Sequence, residues 1–146
     1  MISFISKSVN DTEELGRKIS ALLKGTEVIA MFGDLGAGKT AFTRGIASGL
    51  GFENGVSSPT FAIVNEYNAK FNIYHFDMYR ILSEDDLYSV GYYDYLDNGV
   101  IIIEWSENIE YALDDDAIRI TIRKSEDENI RLFTIEGLDE YEDFIV

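Results

Sequence analysis

Residues 33–40 read Gly-Asp-Leu-Gly-Ala-Gly-Lys-Thr, a match to G-x-x-x-x-G-K-[ST], the Walker A phosphate loop. With this composition such a match arises by chance roughly 0.005 times in the chain. Each residue type has a physical task. Glycines let successive N–H groups point inward at an anion. A helix that starts there sets its positive dipole end beneath the phosphates. Lys39 brings a compact cation to the β- and γ-phosphates. The Thr40 hydroxyl is a ligand for Mg²⁺, which favours octahedral oxygen donors and keeps most of its waters. The expected ATP contacts are Gly33, Leu35, Gly36, Ala37, Gly38, Lys39 and Thr40, with Asp34 and Leu35 shaping the loop.

Such a loop also needs a carboxylate near the metal, at the end of an apolar strand beside the first. Two positions qualify. Glu104 ends Val100–Ile103, and Asp77 ends Phe71–Phe76. Glu104 is read as a carboxylate on the metal or its water, against an ordinary strand-end acid. Asp77 is read as a catalytic group or one acting behind the metal. The segment Ser57-Ser58-Pro59-Thr60 lies where P-loop GTPases carry a hydroxyl that senses γ-phosphate and Mg²⁺. Thr60 suits that task; the alternative is a proline-fixed turn with capping hydroxyls. Trp105 is either a core aromatic or an anchor beside the nucleotide. No Asn/Thr-Lys-x-Asp guanine-reading motif is present, which favours ATP over GTP. His75, the one histidine, is read as a hydrogen-bonded core residue. With no G-x-S-x-G, a serine hydrolase is excluded in practice.

The elements that must position these groups follow from periodicity. Asn10 and Glu13 read as a capping box for a helix with Leu15, Ile19, Leu22 and Leu23 at helical spacing, ended by Gly25. Val28–Phe32 is a short buried strand leading into the loop. Phe42, Ile46 and Leu50 mark the next helix, closed by Gly51. Residues 60–67, 71–76 and 100–103 read as strands, and 83–90 as a short helix capped by Ser83. Residues 117–123 and 130–136 read as a β-hairpin. The tail, residues 137–146, is acidic and reads as a terminal helix or as disordered. The expectation is an α/β, three-layer P-loop NTPase-type fold. Its sheet is mostly parallel, with a C-terminal hairpin, in a single domain over 1–146.

Composition narrows the classes. The 146 residues are 46% hydrophobic and contain no cysteine, which excludes disulfide scaffolds, thiolate metal sites and a cysteine nucleophile. The formal net charge is −15, and all of it falls in residues 81–146, with 19 acids against 4 bases. That half is a poor surface for RNA or anionic lipid. It is read as a solvated face or as a surface for a basic partner. No apolar stretch approaches the ~18 residues of a membrane span. The expectation is a cytoplasmic protein with no membrane contact.

The ordered set is more specific than Walker A alone. Gly33–Thr40 with Phe42 and Arg44-Gly45 is followed by Ser58-Pro59-Thr60-Phe61 and Glu66-Tyr67. Then come His75-Phe76-Asp77-Met78-Tyr79-Arg80, Gly91 with Asp94-Tyr95, and Ile103-Glu104-Trp105. Over residues 10–107 this resembles the TsaE family. The resemblance implies a P-loop ATPase of weak intrinsic activity that depends on partners. It implies a role in forming N6-threonylcarbamoyladenosine at position 37 of tRNAs reading codons that start with A. The implied partners are TsaD, which transfers the threonylcarbamoyl group, and TsaB; tRNA is met only through that complex. It further implies that Lys39 and Thr40 hold phosphates and Mg²⁺, that Glu104 is Mg²⁺-associated, and that Asp77 and Trp105 matter for activity. Thr12, placed before the first helix, is implied to lie near adenine. Ser58, Thr60 and Trp105 are the implied switch and partner residues. Ala41 and Met78 depart from the family pattern, and residues 108–146 match it only in general form. The competing readings are a nucleotide-gated docking module without appreciable catalysis and a small-molecule kinase, for which the arginine-poor second half offers little lid.

Overall fold

The computed structural model describes every residue except 34, 35, 58 and 60–62. Among the described residues, seven strands form one sheet: β1 (Ile2–Ser6), β2 (Val28–Gly33), β3 (Val64–Asn68), β4 (Asn72–Asp77), β5 (Val100–Glu104), β6 (Ile118–Lys124) and β7 (Arg131–Glu136). Their order is β1-β7-β6-β2-β5-β4-β3. The middle four, β6-β2-β5-β4, are parallel, and the flanking pairs are antiparallel. The helices are α1 (Val9–Ser20), α2 (Lys39–Gly49), α3 (Glu84–Ser89), α4 (Tyr92–Tyr95) and α5 (Glu142–Ile145), with 3-10 segments at Ser106–Ala112 and Asp139–Tyr141.

Residue type explains the layering. All five residues of β5, Val-Ile-Ile-Ile-Glu, are buried, as a central parallel strand covered on both faces must be. One face of the sheet packs Leu15, Ile19, Phe42, Ile46 and Phe133 under α1 and α2. The other packs Phe76, Leu87, Tyr92, Ile103 and Ile109 under α3, α4 and the 3-10 segment. The three-layer α/β expectation with its hairpin is met.

The pairing of α1 and α2 fixes where α2 starts. A Cβ on Gly16 would come within 2.6 Å of the Phe42 carbonyl oxygen, and one on Gly45 would collide with the Glu13 carbonyl. The two helices therefore meet backbone to backbone, and Arg44 Nη1 donates across the contact to Glu13 Oε1 at 2.8 Å. The start of α2 is held by this packing against the end of β2.

Three local expectations change, and the tail takes the terminal-helix reading of its two. The first helix begins at Val9, and its cap is Ser8, whose Oγ accepts the Asp11 N–H at 3.0 Å; Asn10 lies inside the helix. Thr12 consequently sits within α1, not before it. The strand β1 was not anticipated; it pairs with β7, far away in sequence. The tail forms α5, and Ile145 is fully buried in the core.

Candidate functional site

The glycine-rich segment that leads to α2 begins at the C-terminal end of β2. Its neighbour β5 ends in Glu104, and the next strand, β4, ends in Asp77. Asp77 and Glu104 are register partners across the parallel pair. Three adjacent strand ends thus deliver the loop and both expected carboxylates to one edge. Ligands of open parallel sheets bind at this edge, outside the carboxyl ends of the strands.

Gly36 and Gly38 have φ of 73° and 105°, backbone that side chains rarely adopt. A Cβ built on Gly38 would meet no atom within 4 Å, so the conformation and not crowding demands glycine there. Gly33 sits at the strand end, where its N–H donates to Glu107 Oε2 at 3.0 Å. Gly36, Ala37, Gly38, Lys39, Thr40, Glu104 and Trp105 line one cleft of about 370 Å³. Lys39 is the first residue of α2 and is only 7% exposed; its Nζ lies 4.9 Å from the centre of the Trp105 ring. Trp105 takes φ 62°, a left-handed turn unusual for a large side chain, directly after Glu104. Its ring also packs on Tyr79 at 4.9 Å. Trp105 is half-buried: its ring lines the cleft and also packs against the second core cluster.

Glu104 is 7% exposed, and its Oε2 lies 2.6 Å from His75 Nε2. His75 is fully buried, as expected, and its ring is engaged on both nitrogens. The Asp77 carboxylate accepts the Tyr79 N–H at 2.9 Å. Burial raises the Asp77 carboxyl above its ordinary range. The Tyr79 N–H opposes this, Glu104 adds to it, and His75 and Lys39 oppose it. The sign for stability follows. The native state holds the Asp77 proton more tightly than the unfolded chain, so stability falls as pH rises out of the ordinary carboxylate range. Asp77→Asn is therefore expected to raise Tm slightly at pH 7, a gain that solvent screening of this half-exposed carboxyl keeps small and that shrinks towards pH 4. Thermal melts of both proteins across that window check it; a constant difference would contradict it.

A second cleft, about 220 Å³, lies on the other side of the loop. Its lining includes Thr12, Gly36, Gly38, Ala41 and Arg131. Thr12 is 3% exposed, and its Oγ1 is 2.7 Å from Ser6 Oγ. The fold thus brings Thr12 to the loop, although through α1. Leu35, Ser58 and Thr60 lie outside the described residues.

Two groups near the loop escape a motif reading. Glu107 clamps the Gly33 amide from the segment after Trp105. Lys124 and Arg131 face each other across β6 and β7; Lys124 Nζ comes within 3.4 Å of a Cβ built on Gly36. Two of the four bases in the acidic half are therefore gathered beside Gly36 and Gly38. Their clustering depends on hairpin register, which no local pattern carries. No helix among the described residues is long and apolar enough to cross a membrane.

Comparison with known proteins bears on this arrangement. The family model described as "Threonylcarbamoyl adenosine biosynthesis protein TsaE" matches residues 6–132. The tRNA threonylcarbamoyladenosine biosynthesis protein TsaE of Treponema pallidum is 35% identical over 126 residues, covering 86% of this chain and 93% of that protein. The protein of the same name from Bacillus subtilis is 39% identical over 130 residues, covering 87% and 81%. The crystal structure of Bacillus subtilis YdiB superposes with a TM-score of 0.76 at 32% identity, covering 98% of this chain and 90% of that one.

Proposed function

The chain belongs to the TsaE family of tRNA threonylcarbamoyladenosine biosynthesis, and we propose that it serves there as an Mg-ATP-binding and hydrolysing accessory protein. The observation that carries this reading is the single cleft in which Lys39, Thr40, Glu104 and Trp105 face the glycine backbone of the loop.

The residues fit the ligands by their chemistry. The triphosphate lies on the N–H groups of the loop and the start of α2, with Lys39 as its cation. The adenosine end runs towards Thr12, where the second cleft opens. The donors beside Lys39 are a hydroxyl, Thr40, and the carboxylates Glu104 and Asp77. That hard-oxygen set suits Mg²⁺, which takes one or two protein ligands and completes its shell with phosphate oxygens and water. When bound, Mg²⁺ neutralises charge on the β- and γ-phosphates. Lys39 does the same from the α2 side. Asp77, with an oxygen fixed by the Tyr79 N–H and a raised pKa, orients the attacking water and takes its proton. The P–O bond to the β-phosphate breaks, and ADP and phosphate leave.

The partners proposed are TsaD and TsaB, with adenosine 37 of tRNA as the target they modify. A chain of net charge −15 does not hold tRNA by itself, so contact with tRNA runs through the complex. The test is Mg-ATP hydrolysis by this chain alone and with the matching TsaB–TsaD pair. A low basal rate that the pair raises severalfold is expected. Nucleotide binding without turnover in either condition would make the protein a nucleotide-gated docking module instead, and would withdraw the catalytic roles of Asp77 and Glu104.

A further inference from the structure

Behind the cleft a buried chain of hydrogen bonds crosses three strands. It starts at Glu104 on β5, whose Oε2 lies 2.6 Å from His75 Nε2 on β4. His75 Nδ1 lies 3.0 Å from the Tyr67 hydroxyl on β3. That hydroxyl lies 3.0 Å from the Ser57 carbonyl oxygen and accepts the Ser57 N–H at 3.3 Å. His75 is fully buried and Tyr67 is 4% exposed, so water does not compete for these groups. The Tyr67 ring is stacked on Phe52 at 4.9 Å, which holds it independently of its hydroxyl.

The tyrosyl hydroxyl carries one proton and has two acceptors at 3.0 Å. Donation to His75 Nδ1 leaves the Nε2–H to hold Glu104, and it is donation withheld from Ser57. The orientation of the carboxylate and the seating of the Ser57 backbone therefore draw on the same proton. Carboxylates and imidazoles behind a metal site act in this way, by fixing the group that touches the metal.

We propose that His75 and Tyr67 are positioning residues for the metal-side carboxylate, and that they couple Glu104 to the Ser57 segment. The inference rests on the reading that Glu104 serves bound Mg²⁺. It assigns the coupling to two side chains that need not touch nucleotide or metal.

The test uses the full chain with ADP as probe, in Mg²⁺ and in EDTA, read by calorimetry and by the fluorescence of Trp105, the only tryptophan. In Tyr67→Phe the ring and its stacking stay and only the hydroxyl is lost. The Mg²⁺ concentration for half-maximal ADP binding is expected to rise about tenfold, with binding in EDTA unchanged. His75→Leu should give the same loss, and His75→Gln, which keeps a donor near Glu104, should recover most of it. Amide exchange at Ser57 should respond to Mg-ADP in the wild type and not in Tyr67→Phe. A merely structural role would lower Tm and leave the Mg²⁺ requirement where it was. If Glu104→Gln raises that requirement and Tyr67→Phe does not, the coupling is overturned and the metal role of Glu104 stands. If Glu104→Gln has wild-type Mg²⁺ dependence, the metal role falls and the proposal falls with it.

Discussion

Lys39→Ala is expected to weaken binding of ATP and ADP by about 100-fold or more, measured by titration calorimetry in Mg²⁺. The argument is electrostatic. Among the described residues, Lys39 is the only cation lining the main cleft, where it faces Glu104 and lies near Asp77. Hydrogen bonds to charged groups contribute roughly 1.5–3 kcal/mol each. Losing the contacts to two phosphates from a nearly buried ammonium therefore reaches two decades or more. Removing the cation also leaves carboxylates facing an anionic ligand, which adds repulsion to the lost attraction. The fold should tolerate the change, because alanine is a strong helix former at the first turn of α2. Circular dichroism checks that point. Affinity within threefold of wild type in a folded variant would remove Lys39 from the phosphate site, and with it the central premise of the proposed chemistry.

How much of this was legible in the sequence depends on the range of the interaction. The strand–loop–helix unit around Gly33–Thr40 is local, and its periodicity and glycines specify it almost completely. The central strands are legible for a related reason: a run such as Val100–Ile103 can only be buried on both faces. The placement of Asp77 and Glu104 at strand ends was readable, and their adjacency followed once β4 and β5 paired in parallel. What escaped is set by distant pairing. The strand β1 is stabilised by β7, some 130 residues away, so its short Ile-Ser-Phe-Ile alternation carried no decisive local signal. Lys124 and Arg131 reach the loop only through the hairpin register and the pairing of β6 with β2. Ser8, Asn10 and Asp11 all have cap-forming side chains; Ser8 takes the Asp11 N–H, and the Asp11 carboxylate is turned back to the Lys7 N–H. His75 was expected to be a satisfied core histidine. Burial makes that correct, yet its partners give it a direction that burial alone does not: one ring nitrogen faces the cleft's carboxylate and the other faces away, towards Tyr67.

That geometry decides how Glu104 should be tested. Glu104→Gln is expected to lower Mg²⁺-dependent ATP hydrolysis by about 10²–10³, the usual cost of removing one preorganised charge-stabilising group from a phosphoryl or acyl transfer site. Binding of nucleotide in EDTA should stay near wild type, because the loop amides and Lys39 remain. Glutamine keeps the side-chain length and an oxygen that accepts from His75 Nε2, so the buried imidazole retains its partner. Glu104→Ala loses the same charge and also strands a fully buried ring nitrogen, which costs about 1–3 kcal/mol of stability on its own. The alanine variant should therefore show a lower Tm as well as lost turnover, whereas the glutamine variant should show lost turnover with a nearly unchanged Tm. The pair separates charge from structure at a single position. Wild-type turnover in Glu104→Gln would show that the negative charge at the end of β5 is not required. Among the described residues, the other carboxylate presented at that edge in register is Asp77, so the metal-side role would then pass one strand over, to β4.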